Sequence, residues 1–173
     1  MNIFIIIVMN LLLYTKDFIV SNIYFLDKKT NMIMDGIFTK FVYSTQFMTM
    51  NGVYIDFPLK NVIINKIQSK NILQMDMIQN RTNIQKMIDI EKQILQYYVQ
   101  HFASLHQSYS NSKLPIQNKT IVYSLKNQLQ TGYIKYYKEY DSYNSELFYI
   151  KISGIWENQY EVGITFKVIE YQK

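Results

Sequence analysis

The sequence has no cysteine. Disulfides, thiolate catalysis and Cys-based zinc sites are excluded together. Glycine and proline are scarce, at five and two residues. No G-x-x-x-x-G-K-[ST] or G-x-G-x-x-G run occurs, so a phosphate-cradling loop has little to be built from. The two histidines, His101 and His106, are five apart and do not share a helix face. No carboxylate pattern beside them suggests a metal site. No serine stands in a nucleophile elbow. Asp89 and Glu91 lie two apart in a helical segment and point in different directions, so they are not an acid/base pair. These absences predict a protein that is not an enzyme, with no cofactor and no bound metal.

What is present is a chain of 173 residues, 49% of them hydrophobic, enough for one domain with one core. Ile, Asn, Lys, Tyr and Met are heavily used. An AT-rich genome tends to write such a composition, so position matters more than count. Lys and Arg number 18 against 13 Asp and Glu, a net charge of +5. That balance permits contact with nucleic acid or an anionic membrane surface.

The first 33 residues stand apart. An apolar run from Ile3 to Tyr14 is broken by Asn10. A spanning helix needs about 20 apolar residues, and extension to Leu26 places Lys16 and Asp17 mid-span. Three readings follow: a membrane anchor, an ordinary buried element, or a start that belongs at Met34. Under the third, residues 34–173 form the domain and fold alone.

In the body, Asn51-Gly52 is a type I′ hairpin signal, with arms Phe47 to Met50 and Val53 to Phe57. Residues 61 to 67, NVIINKI, read as a strand. Residues 82 to 105 change to helical spacing, with Ile84, Met87, Ile88, Ile94 or Leu95, Tyr98 and Phe102 on one stripe. Glu91 is the polar exception on that stripe, and Thr82 is the expected N-cap. Residues 106 to 119 read as a loop. TIVYSLKNQLQTG reads as a short helix closing at Gly132. Residues 133 to 140 alternate as a strand, and DSYNSE reads as a turn.

The most ordered stretch is YIKISGIWENQYEVGITFKVIEY, residues 149 to 171. Strand alternation puts Phe148, Ile150, Ile152, Gly154 and Trp156 on one face, and Tyr149, Lys151 and Ser153 on the other. The return strand puts Ile164, Phe166 and Val168 against Thr165, Lys167, Ile169 and Tyr171. Gly154 marks a bulge or a close backbone approach. The strand at 133 to 140 repeats the mixture, with Tyr133, Lys135 and Tyr137 on one side and Tyr136, Lys138 and Tyr140 on the other. Tyr and Thr on such a face are in part a matter of strand propensity. The same face also has the chemistry of a platform for single strands. Bases stack on rings, at about 1–3 kcal/mol each, while lysines neutralise phosphates. The candidate binding residues are Tyr133, Lys135, Tyr137, Tyr149, Lys151, Lys167 and Tyr171.

FMTMNGVYIDFP, the ILQYY at the end of the long helix, and KISGIWENQYEVGITFKV resemble a set of uncharacterised, mimivirus-like proteins of nucleocytoplasmic large DNA viruses. The resemblance covers about residues 34 to 171. It implies a source and a setting, the infected-cell cytoplasm or the virion, rather than an activity. The closing pattern, with Trp156, Gly163 and the run Ile164, Phe166, Val168, is similar to the end of the OB-fold in viral single-stranded DNA-binding proteins. Those proteins close on an acidic tail, whereas this sequence ends VIEYQK.

The expected fold is α+β: a mainly antiparallel sheet, as an OB-like barrel or a sandwich, with one long and one short helix. The expected partners are single-stranded DNA or RNA. The alternative is a structural or virion-associated module that binds other viral proteins. A membrane is a partner only under the anchor reading of residues 1–33. A closed barrel with Tyr149, Lys151 and Lys167 in an open groove would favour nucleic acid. A sandwich with that face covered would favour the structural role.

Overall fold

A computed structural model describes residues 12–31, 36–67, 69–106, 116–138 and 147–171. Its centre is the closing ribbon, β9 (Leu147–Glu157) paired antiparallel with β10 (Glu161–Tyr171). Around it runs one sheet in the order β1 (Ile23–Asn31), β2 (Gly36–Ser44), β9, β10, β8 (Tyr133–Lys138), β6 (Lys70–Met75) and β5 (Val62–Ile67). Off this path, β3 (Thr49–Asn51) pairs with β2, β4 (Val53–Asp56) with β9, and β7 (Thr120–Val122) with β10. Two α-helices complete the described residues, α1 (Arg81–His106) and α2 (Ser124–Gln130). The class is α+β with a mainly antiparallel sheet, one long helix and one short. The barrel does not close. β1 and β5 end the strand path at opposite sides, because β8, β6 and β5 extend the sheet outward from β10 instead of returning to β1.

Asn51-Gly52 is not a hairpin turn. β3 and β4 pair with different partners, β2 and β9. The hairpin turn lies earlier, at Thr45 to Met48, where the Thr45 hydroxyl accepts from the N–H groups of Phe47 and Met48. Gly52 instead sits where the chain steps from the edge of β2 to the edge of β9. It has φ +83°, and a Cβ there would lie 2.5 Å from the Ile152 carbonyl oxygen. Its N–H donates to the Phe41 carbonyl at 2.9 Å. The signal for positive φ was real, but tertiary pairing gave it a different use. Gly52→Ala adds a left-handed backbone cost of about 1–2 kcal/mol to an overpacking cost of about 1–3 kcal/mol. We expect a loss near 3 kcal/mol, measured by urea unfolding. A variant as stable as the wild type would show that the crossing relaxes freely.

The amphipathic stripe of α1 is buried as expected, with Ile84, Met87, Ile94, Leu95 and Tyr98 in the core. Asn80, not Thr82, occupies the N-cap: its carbonyl accepts from the Ile84 N–H. Its side chain is spent elsewhere, bridging Lys60 and the Asp76 carbonyl. The polar exception, Glu91, is fully buried and accepts from the backbone N–H groups of Leu125 and Lys126, at 2.9 and 2.8 Å. It thereby satisfies the first turn of α2, whose own residues supply no cap. α2 closes as expected at Gly132, with φ +76°. The first residues of the segment read as helix form β7 instead, parallel to β10.

Residues 13–31 are built into this fold. Leu13 pairs with Ile55 beside β4, and β1 pairs along β2 from Ile23 to Asn31. Leu13 and Ile23 are buried in the core, and the Phe18 ring stacks on Tyr43. Lys28 and Lys29 lie inside β1. Among the described residues no helix is long and apolar enough to cross a membrane. Most of the loop at 106–119, and the DSYNSE turn, lie outside the described residues.

Candidate functional site

The ribbon carries a bulge that alternation alone does not reveal. Ile152 pairs with Phe166 and Gly154 with Thr165, leaving Ser153 as the extra residue. Side-chain parity reverses there. Phe148, Ile150 and Ile152 face the core, and beyond the bulge Ile155 and Glu157 do so. Trp156 therefore leaves the Phe148 face and joins Tyr149 and Lys151. Gly154 is both things expected of it, next to the bulge and closely approached: a Cβ there would meet the Thr39 carbonyl at 2.6 Å.

Lys151 and Lys167 are direct cross-strand partners. Such partners project to the same side. Lys135 and Tyr137 reach the same region from β8: the ammonium groups of Lys135 and Lys167 lie 4.7 and 5.0 Å from the Tyr137 ring centre. Lys151 lies 4.8 Å from the ring centre of Tyr54, on β4. Tyr133, on the same side of β8, is half exposed. Among the described residues none of these three lysines has a carboxylate in ion-pair range.

The other two candidate residues stand differently. Tyr149 is 3% exposed and Tyr171 8%. The rings of Tyr54, Tyr149 and Tyr171 follow one another at 5.9 and 5.6 Å. Burial, then the nearby Asp56 carboxylate, raises the Tyr171 phenol above its ordinary value, and its hydroxyl donates to Asp56 Oδ1. Tyr149 and Tyr171 thus lie along the same face as the lysines but are packed and not open to a base. The open platform is Lys135, Tyr137, Lys151 and Lys167, with Tyr133 at its margin. On the opposite side of β8, Tyr136 is buried against Phe148 and Lys138 lies 3.6 Å from Glu170.

A gap in the sheet opens beside this platform. On one edge of β10, β7 pairs as far as Gly163 and β8 begins at Val168. Both are parallel to β10, and α2 crosses between them. The gap forms a pocket of about 330 Å³ whose walls include Ser124, Gln128, Lys135, Tyr137, Trp156, Thr165 and Lys167. The Trp156 indole lies across Gly163, where a Cβ would sit 2.6 Å from Cζ2, and its N–H donates to the Ile164 carbonyl at 3.1 Å. The indole thus satisfies one edge carbonyl that no strand reaches. Tyr54, Ser124 and Gln128 escaped the sequence reading, and Trp156 was read on the Phe148 face. The one signal for its true face was Gly154, which hinted at the bulge that turns Trp156 outward.

No metal-binding cluster of carboxylates and histidines occurs among the described residues. No protein-family model matches the chain, and neither a curated protein nor a solved structure does.

Proposed function

We propose that the protein binds single-stranded nucleic acid through the open part of this sheet face. The observation that carries the reading is the register of Lys151 opposite Lys167, with Lys135 sharing the Tyr137 ring. Like charges directly opposed across a ladder are destabilising. A fold that sets them there gains if an anion neutralises them. Exposed Tyr133 and Tyr137 supply π-faces beside them. The proposal is binding without catalysis and without a cofactor; among the described residues no metal-binding cluster occurs. The proposed setting is that of a large DNA virus, on the resemblance of the segments quoted above. A second reading, a viral structural or protein-interaction module, is favoured by the sheet edges. Tyr24 and Leu26 on β1, and Ile63 and Ile67 on β5, are exposed apolar side chains on end strands.

Anisotropy titration of a labelled thymidine oligomer at several salt concentrations tests the first reading. Each phosphate neutralised on a single strand contributes a slope of about −0.7 in log K against log salt. Lys151→Ala with Lys167→Ala is expected to flatten that slope by about one to two phosphate contacts. Tyr137→Ala is expected to weaken binding by about 1–3 kcal/mol with little change in slope, because a ring releases no counterion. Duplex of equal length should bind less well. Absence of binding at low salt, or equal binding of duplex, would favour the protein-interaction reading.

A further inference from the structure

We propose that the gap between β7 and β8 is a slot for a single nucleotide, its base lying between Trp156 and Tyr137 and its phosphate meeting Lys135 and Lys167. The inference rests on the nucleic-acid reading of the same face and names the unit that the face recognises.

Four features of the gap point to this chemistry. Its volume, about 330 Å³, is at the small end of ligand pockets, fitting one nucleotide and not a longer segment. Its walls include the Trp156 and Tyr137 rings and the Lys135 and Lys167 side chains, the pairing that a planar base and its phosphate require. The Ser124 hydroxyl lines it and is buried without a hydrogen-bond partner among the described residues. Leaving a buried hydroxyl unsatisfied is unfavourable, so a ligand that bonds it recovers that cost. Finally, Phe166 falls between the two registers on the gap edge of β10, two residues beyond the Ile164 carbonyl that Trp156 covers. Its backbone N–H and C=O offer one donor and one acceptor side by side. The Watson–Crick edge of an unpaired base carries the complementary arrangement.

The nucleotide can be free or part of a strand, and the experiment separates the two. Trp156 is the only tryptophan in the chain, so its emission reports this slot alone. The full-length protein is titrated with thymidine monophosphate, with a thymidine oligomer, and with inorganic phosphate. Saturable quenching by the first two and none by phosphate is the expected result. Ser124→Leu fills the slot from the helix side and should weaken monophosphate binding at least tenfold. It should weaken oligomer binding by less, because the Lys151 contact outside the slot remains. Thr165→Tyr plugs the slot from the outer strand face, where a ring suits the strand, and should do the same if Ser124→Leu proves unfolded by circular dichroism. Oligomer binding with unchanged Trp156 emission, and insensitive to both variants, would overturn the slot and leave the face reading standing. Quenching by monophosphate without oligomer binding would do the reverse. Equal quenching by phosphate would reduce the gap to a simple anion site and overturn the proposal.

Discussion

Glu157→Ala is expected to remove about 3–5 kcal/mol of stability, the usual consequence of leaving buried charges without their partner. Glu157 faces the core beyond the ribbon bulge and is 4% exposed. Its carboxylate receives Lys28 Nζ at 2.7 Å and Lys119 Nζ at 2.8 Å, and Tyr98 donates its hydroxyl to Oε1. Thr39 completes the chain of bonds through the Tyr98 oxygen. Lys119 is 10% exposed and loses its carboxylate outright in the variant. Lys28 retains the Phe102 ring, 4.1 Å away. For a chain of this size the melting temperature should fall by about 10 °C. Glu157→Gln should show the same direction at neutral pH, since the amide keeps the shape and removes the charge.

The pH dependence distinguishes this ion cluster from mere packing. Burial alone would raise the Glu157 carboxyl, but the hydrogen bonds from Lys119, Lys28 and Tyr98 outweigh it and hold it below the ordinary value of 4.5. A depressed carboxyl contributes stability that is full above that value and is lost as pH falls through the folded pKa. The gap between wild type and Glu157→Gln should therefore narrow below about pH 4.5. Glu91 acts oppositely. Burial raises its carboxyl, and the bonds from Lys126 and Leu125 recover only part of that shift. Its contribution is greatest below 4.5 and declines as pH rises through its raised folded value. In the Glu157→Gln background the acid loss should thus be blunted. Urea midpoints measured from pH 3 to pH 7 check this, and a gap constant across that range would refute the ionic account.

Removal of residues 1–33 is expected to abolish cooperative unfolding. The deletion takes away Leu13, Ile23 and Phe25. Fully burying such a side chain is worth about 1.5–3 kcal/mol, and with Leu13 and Ile23 buried and Phe25 partly buried the three together are worth roughly 4–8 kcal/mol. That is comparable to the whole stability of an ordinary domain, about 5–15 kcal/mol. The loss does not end there. Phe25 meets the Tyr98 and Phe102 rings at 5.0 and 5.8 Å, so the C-terminal half of α1 loses a neighbour. Lys28 leaves the Glu157 cluster. Tyr43, fully buried on β2, loses the Ile19 and Asn22 donors to its hydroxyl. Near-UV dichroism and a thermal melt of residues 34–173 decide the matter. A sharp melt at the full-length temperature would show that β1 is dispensable.

Local signals carried much of the fold. Helical spacing located α1 because an amphipathic stripe needs only its own sequence to be recognised. Gly132 ended α2 because a left-handed C′ position excludes most side chains wherever it occurs. The β-branched run of β5 and the alternation of β8, β9 and β10 were equally local. β6 was missed, since Lys70–Met75 has neither strict alternation nor a β-branched majority and is held by β5 and β8 on its two sides.

The candidate site divides along the same line. Lys135, Tyr137, Lys151 and Lys167 were legible because they alternate within uninterrupted stretches of strand, where parity is a property of the backbone alone. Trp156 was placed on the wrong face because a single bulge at Ser153 reverses parity, and a bulge is decided by the partner strand. Tyr149 and Tyr171 had the right parity and the wrong exposure, since burial depends on what covers a face rather than on which face it is. The sequence by itself determined the class, the long helix, the central ribbon and the sign of the charge on its outer face. Tertiary structure alone decided that Gly52 marks a crossing, that Glu91 and Glu157 are buried with partners 34 and 129 residues away, and that the β7/β8 edge of β10 has no strand between Gly163 and Val168. Each of these depends on pairing between distant segments. Periodicity records a residue's own backbone, and it holds no record of which distant strand comes to lie beside it.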